Sequence, residues 1–257
     1  MRFASLGSGS SGNALVVEVK QTRVLLDCGF PLKEAVTRLA RLGLEPRQLS
    51  GIIVTHEHDD HARGVGALAR RFGLPVWSTW GTSVALGAAC ASLKHIQLMQ
   101  GGYKFSVGDI EVQPYTVPHD AREPVQCVFG DGDVRLGVLT DVGCATPHIE
   151  SVLTGCHALV LECNHDADML ENGPYPPALK CRIAGRFGHM KNEAAGELLA
   201  RLDCRLLQHV IAAHLSRYNN TPQLAGIALA RAINCGAEWI GVADQDSGFD
   251  WREISHR

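Results

Sequence analysis

The sequence has no apolar run approaching the ~20 residues that cross a bilayer. Its first residues, Met1-Arg2-Phe3-Ala4-Ser5-Leu6, pass straight into glycine and serine, which is too little for a signal peptide. None of its nine cysteines falls in a Cys-x-x-Cys pair, and the count is odd. That argues for reduced thiols in a cytoplasmic protein rather than a disulfide framework. Positive charge is not in excess either. A formal net charge of -3 excludes a global positive field of the kind that gathers nucleic acid or membrane, and leaves such contacts to a local patch. No repeat, charge block or low-complexity linker divides the chain. With 46% hydrophobic and 20% charged residues it can bury one full core, so one domain over residues 1–257 is expected.

What is present is an alternation of short apolar runs and helical patterns. Strands are expected over residues 13–19, 22–26, 51–55, 110–117, 134–140, 158–161, 209–213 and 239–243. Helices are expected over 33–42, 61–72, 193–202 behind an Asn192 cap, and from Thr221-Pro222 to about 234. No helix of normal length separates the runs 112–117 and 134–140. A mixed sheet system with outer helices therefore fits better than a doubly wound parallel sheet.

Six apolar runs end on an ionisable residue. Leu26 is followed by Asp27, Thr55 by His56, Pro118 by His119, Thr140 by Asp141, Leu161 by Glu162 and Ala213 by His214. Core packing does not place ionisable groups so regularly, because burying them unpaired is costly. Strand ends meeting along one edge would build a single polar pocket on rigid supports. The sharpest segment is His56-Glu57-His58-Asp59-Asp60-His61. In a tight loop after a strand, His56 and His58 can face one cation while Asp60 and His61 turn toward a second. Imidazole with carboxylate is the donor mix of zinc, with manganese or iron also possible. A merely solvated loop would not begin at the end of an apolar strand and feed a helix. Cys28, Cys144 and Cys163 lie close to these acids in sequence, but read better as small buried hydrophobes than as ligands.

With Asp27, His56/His58/Asp60/His61, His119, Asp141 and His214 in this order, the chain resembles the metallo-β-lactamase superfamily over essentially its whole length. The resemblance implies an α/β fold: an αββα four-layer sandwich, two mixed sheets flanked by helices, with two divalent metal ions at one edge. It also implies roles. His56, His58 and His119 would hold the first metal, Asp60, His61 and His214 the second, and Asp141 would bridge them. Asp27 would support the loop from behind, since ligating histidines donate their other N–H to a carboxylate or carbonyl. Asp141 stands where secreted β-lactamases of this fold often carry cysteine, which counts against an antibiotic-degrading enzyme. The segments Gly7-Ser8-Gly9-Ser10-Ser11-Gly12-Asn13, Val117-Pro118-His119-Asp120-Ala121, Glu162-Cys163-Asn164-His165-Asp166, Gly188-His189-Met190-Lys191-Asn192 and His214-Leu215-Ser216-Arg217-Tyr218-Asn219-Asn220 are similar to the YycJ/WalJ-type branch. Members of that branch look like DNA exonucleases acting from the 5′ end, so the resemblance implies phosphodiester hydrolysis with DNA as substrate.

Residues 7–13 lack the Gly-Lys-Ser/Thr ending of a P-loop. They read as a tight connection between the first two strands, in which Ser10 and Asn13 can also receive a phosphate. Residues 179–192 carry Lys180, Arg182, Arg186, His189 and Lys191 and no acid, the best phosphate-binding candidate in an acidic chain. Arg217 and Asn220 join them as candidate substrate contacts. His189 sits just ahead of a helix start, a position suited to anions. Two cations about 3.5–4 Å apart lower the pKa of a shared water toward ~7. The expected reaction is attack of a metal-bridging hydroxide on phosphorus. Asp60 would orient it, and His189 or His165 would bind the phosphate or protonate the leaving group. A thioester or lactone hydrolase using the same metals is one alternative, and a non-catalytic nucleic-acid-binding scaffold is another. His95, His148, His157, His209 and His256 carry no pattern and read as structural or exposed. No membrane contact is expected, and the sequence specifies no protein partner.

Overall fold

Strand β2 (Ala14–Val19) shows why the chain builds layers. Side chains alternate across a strand. Leu15, Val17 and Val19 enter one apolar cluster, Ala14 and Val16 another. Both faces are apolar, so both must be covered. The computed structural model describes residues 1–87, 93 and 96–256.

The first of two seven-stranded sheets is built from β1 (Arg2–Gly7), β2, β3 (Thr22–Leu26), β4 (Gly51–Ile53), β5 (Val76–Ser78) and β6 (Ile96–Leu98), with the C-terminal β14 (Phe249–Glu253) returning to pair antiparallel with β1. The second runs through β7 (Phe105–Val107), β8 (Ile110–Thr116), β9 (Val125–Gly130), β10 (Arg135–Leu139), β11 (Ala158–Glu162), β12 (His209–Ala213) and β13 (Gly241–Val242). Each is mixed. β3 to β6 pair parallel in the first and β10 to β13 in the second, the remaining pairs being antiparallel.

Phe3, Leu15 and Ile53 of the first sheet meet Val112, Phe129, Leu136 and Val160 of the second in a central apolar layer. Each such side chain contributes ~1.5–3 kcal/mol on full burial. Helices α1 (Leu32–Arg41), α2 (Asp59–Ala62) and α3 (Val65–Phe72) cover the outer face of the first sheet, burying Ala35, Leu39, Ala62 and Leu68 against Leu25 and Ile52. On the second sheet, α5 (Pro147–Leu153), α8 (Asn192–Arg201) and α9 (Pro222–Ala232) bury Val152, Leu198 and Leu229 against Leu159 and Val210. The short α4 (Trp80–Leu86), α6 (Ala167–Asn172) and α7 (Pro177–Ile183) complete the described helices, and α7 buries no residue of its own. This is the four-layer αββα sandwich that the resemblance implied.

Local differences from the sequence reading have physical causes. The helix expected over 61–72 is two, because Gly64 must approach the loop after β3: its N–H bonds Cys28 O, and a Cβ there would lie 1.9 Å from Phe30 O. Asn192 is not a cap. Lys191 takes that position, while the Asn192 amide pairs with that of Asn220. Residues 237–239 form a 3₁₀ turn, shrinking the last expected strand to Gly241–Val242. Thr221 does cap α9, accepting from Leu224 N–H with Pro222 in the first turn. His95 lies outside the described residues.

Candidate metal centre

β3, β4, β8, β10, β11 and β12 all end at the same edge, and their carboxyl ends deliver Asp27, His56, His119, Asp141, Glu162 and His214. Three of these leave the strand in a left-handed backbone conformation: Asp27 at φ 60°, Asp141 at 54° and His214 at 56°. That costs a non-glycine residue of order 1 kcal/mol. It turns the chain sharply off the strand and into the cleft.

The loop after β4 is clamped from behind. Asp27 accepts from Thr55 N–H, from the Thr55 hydroxyl and from His61 Nδ1, each at 2.8 Å. Having donated through Nδ1, His61 presents the lone pair of Nε2 to the cleft. Backbone bonds tie the same loop down, with Asn13 N–H to Asp60 O and Cys28 N–H to His61 O both at 2.7 Å.

The expected ligands form two donor clusters, and a third, overlapping group joins Asp141 and His214 to Glu162 and His189. His56 Nε2 and His119 Nε2 lie 3.1 and 3.2 Å from His58 Nδ1. His61 Nε2 is 3.1 Å from Asp141 Oδ2, and His214 Nε2 is 3.4 Å from Asp141 Oδ1. Asp60 Oδ2 stands 3.5 Å from both of those nitrogens. Tetrahedral donors at 2.0–2.1 Å from zinc are about 3.3 Å apart, so these spacings fit a divalent ion. The second nitrogens are already engaged: His56 Nδ1 with the Thr55 hydroxyl at 2.9 Å, His119 Nδ1 with Gly188 O at 3.2 Å, and His214 Nδ1 with Glu162 at 2.9 Å. With the His61 Nε2 lone pair facing it, buried Asp141 Oδ2 receives no hydrogen bond, as an oxygen awaiting a cation would not.

The electrostatics agree. Burial and the surrounding imidazoles push His56 well below its ordinary pKa, and burial lowers His119 too, leaving neutral nitrogens in the first cluster. In the second, burial opposes charge on His61 and His214. Asp141 and Asp60 outweigh it, raising His61 well above the usual range and His214 to about 10. The same pairs hold Asp60 and Asp141 far below ordinary carboxylates against the upward push of burial. The second cluster thus draws positive charge strongly.

Glu162, which the strand-end pattern had marked without a role, is fully buried and saturated. One oxygen meets His189 Nδ1 and His214 Nδ1 at 2.9 Å each; the other accepts from Val142 N–H and Met190 N–H. Burial raises it, but His189 and His214 bring it down to about 2. It orients both imidazoles. Asp120, likewise given no role by the sequence reading, lies 3.6 Å from His119 Nε2 and pairs with Arg182 at 2.7 Å.

Ser10, His58, Asp60, Asp141, Arg182, His189 and His214 line one cleft of about 530 Å³. Other sequence candidates sit elsewhere. His165 is buried, its ring against Asn164 and its pKa lowered to about 4 by that burial, and it does not line the cleft. Asn13 exchanges hydrogen bonds with Gly9 through both ends of its amide and leans on Asp60 and His61, so it braces the loop. Asn220 spends its amide on Cys163 O and Asn192. Arg186 and Lys191 are exposed away from the cleft, and Arg217 lines a neighbouring cavity. The sequence shows that these residues are polar, but burial and partners come only with the fold. Cys28 and Cys163 are buried, with thiols pushed up by that burial, and no cysteine joins a donor cluster among the described residues.

Imidazole and carboxylate donors gathered at one edge of a two-sheet sandwich define a metal-dependent hydrolase. Residues 22–214 match the Beta-lactamase superfamily domain, and the chain belongs to that superfamily. Over 246 residues it is 36% identical to Exodeoxyribonuclease YycJ of Bacillus anthracis, covering 95% of this chain and 93% of the relative. Exodeoxyribonuclease WalJ of Streptococcus pneumoniae serotype 2 (strain D39) is 32% identical over 247 residues, 94% and 91% of the two chains. In fold, the metallo-beta-lactamase fold protein YhfI from Bacillus subtilis matches with a TM-score of 0.74 over 98% of this chain and 99% of its own, at 15% identity.

Proposed function

We propose that the protein is an exonuclease that hydrolyses DNA from the 5′ end with two divalent ions, zinc first, manganese or iron also accepted by the same donors. The observation that carries this reading is the convergence of both donor clusters with His189 and Arg182 on one cleft. The exodeoxyribonuclease names of relatives matched over nearly the whole chain support it. His56, His58 and His119 would hold one ion and Asp60, His61 and His214 the other, with Asp141 available to both. Bound there, the ions supply Lewis acidity and an acidified water.

The chain's own groups do the rest. Asp60 stays ionised against burial and orients the attacking water. His189 gives Nδ1 to Glu162, which leaves Nε2 for the substrate; burial opposes its charge, but Glu162 raises its pKa. It can therefore hold a phosphate oxygen and return a proton to the leaving oxygen. Arg182 and Ser10 complete the phosphate side, and the basic pair Arg182 and His189 favours a phosphodiester over a thioester or lactone. No helix among the described residues is long and apolar enough to cross a membrane. A cytoplasmic location and residues 1–257 acting as one domain complete the proposal.

The test is a panel of labelled single- and double-stranded DNA, RNA, a lactone and a thioester, under zinc and manganese separately. DNA is expected to be shortened from its 5′ end. His58→Ala and Asp141→Ala should each abolish this while remaining folded. Absence of nucleic-acid cleavage throughout the panel, or full turnover in both variants, overturns the proposal.

A further inference from the structure

The metal cleft continues into a smaller pocket of about 180 Å³. The two share Ser10, Arg182 and His189, and the smaller adds Tyr175, Leu179 and Ile183 as its apolar wall. None of the three apolar clusters of the sandwich uses that wall. α7, which carries Leu179 and Ile183, has no buried residue, and none of the three belongs to an apolar cluster of the sandwich. Tyr175 sits in the segment Pro174-Tyr175-Pro176-Pro177. Proline fixes φ on either side, and a residue before proline is held extended, so the ring is presented by a stiff loop. Tyr218, 60% exposed, props it edge-on, with centroids 6.0 Å apart and planes at 70°.

An aromatic face held rigidly beside an arginine and an imidazole matches a group with a flat π-system at one end and a phosphate at the other. We propose that this pocket takes the terminal nucleobase of the DNA strand. Tyr175 is its stacking face, and Arg182 and His189 lie toward the scissile phosphate. The inference rests on the nuclease reading and deepens it. Stacking needs an unpaired base, so the end that enters the pocket is single-stranded or frayed from its duplex partner. Every base has a π-face, so the pocket is tolerant of sequence.

The experiment compares two single-stranded oligonucleotides that differ only in an intact or abasic 5′-terminal residue. Wild-type protein should cleave the intact end with kcat/KM about tenfold higher, the scale of one base–aromatic stack. Tyr175→Ala should fall to the abasic rate and lose the distinction, whereas Tyr175→Phe should behave as wild type. With 2-aminopurine as the terminal base and hydrolysis stopped by a chelator, binding should quench its fluorescence in wild type and Tyr175→Phe but not in Tyr175→Ala. Equal cleavage of both ends by wild type, or an undiminished distinction in Tyr175→Ala, overturns the pocket while leaving the nuclease intact. Cleavage of neither oligonucleotide while duplex DNA is still shortened also overturns the pocket; cleavage of no nucleic acid at all overturns the nuclease reading itself.

Discussion

Replacing Asp27 by asparagine should separate metal binding from folding. Asp27 receives three hydrogen bonds at 2.8 Å, two from Thr55 and one from His61 Nδ1. Asparagine keeps the size, tolerates the left-handed conformation at φ 60°, and retains one oxygen for Thr55 N–H. Its NH₂ group, however, faces His61 Nδ1–H, and two donors cannot share that contact. His61 must move its proton to Nε2, the atom that faces the ion, and so loses its lone pair there. Loss of such a supporting carboxylate costs ~10–100-fold in metal affinity, roughly 1.4–2.7 kcal/mol. Folding should suffer little. Burial already pushes the Asp27 carboxyl up against the pull of His61 and Thr55, so removing the charge recovers desolvation energy that offsets the lost bond. The Thr55 hydroxyl can rotate to accept from the new NH₂. The chelated variant should melt within ~2–4 °C of wild type, about 1 kcal/mol for a chain of this size. Zinc titration in competition with a chromophoric chelator gives the affinity, and thermal unfolding in chelator gives the stability. Unchanged zinc affinity, or a stability loss exceeding the affinity loss, would refute the tautomer argument.

Other perturbations probe the same frame. A Cβ on Gly29 would lie 1.8 Å from Asp60 O, so Gly29→Ala should destabilise by ~1–3 kcal/mol or more and weaken zinc binding together. Gly43→Ala meets nothing within 4 Å and should cost only its left-handed backbone, ~1 kcal/mol; equal urea midpoints for the two would contradict this. Free zinc at 100 times its dissociation constant should stabilise the fold by ~2.7 kcal/mol, reversibly on chelation, and a melting temperature indifferent to zinc would count against the metal centre. Burial raises the Glu18 carboxyl, but hydrogen bonds from Arg2 and Arg23 outweigh it and leave it lowered. Its contribution is therefore present above the unfolded pKa of ~4.3 and lost as pH falls through the folded value. Urea unfolding across pH should show Glu18→Gln less stable at neutrality and converging with wild type in acid. Parallel curves would contradict the assignment.

The sandwich was legible because its central strands are buried on both faces and read as unbroken apolar runs, as in Ala14–Val19 and Ala158–Glu162. β5, β6 and β7, three residues each, are too short to show any period. β9 was hidden by Gln126, whose amide is buried only because it reaches Thr140 O and Oγ1 across the sheet. The donor clusters were visible for a related reason: an ionisable residue ending an apolar run stands out in one dimension. Asn13 and Asn220 gave no sign of their bracing roles because their partners Asp60, His61, Cys163 and Asn192 come from distant segments, and the burial of His165 appears only with the fold. Tyr175 gave no signal, since its closeness to His189 arises from the path of the loop and not from spacing along the chain.

Each of the two clusters of expected ligands straddles the seam between the two sheets. His56 and His58 follow a strand of the first, and His119 one of the second; Asp60 and His61 come from the first, Asp141 and His214 from the second. An ion bound at either cluster is therefore a staple, closing chain loops that run from one half of the molecule to the other. Its binding energy goes into holding the sheets in register with one another, since each strand ladder is already complete without it. A chain whose halves have formed but not docked has only part of each donor set and little affinity for the ion. Metal binding would therefore report that the two halves have docked.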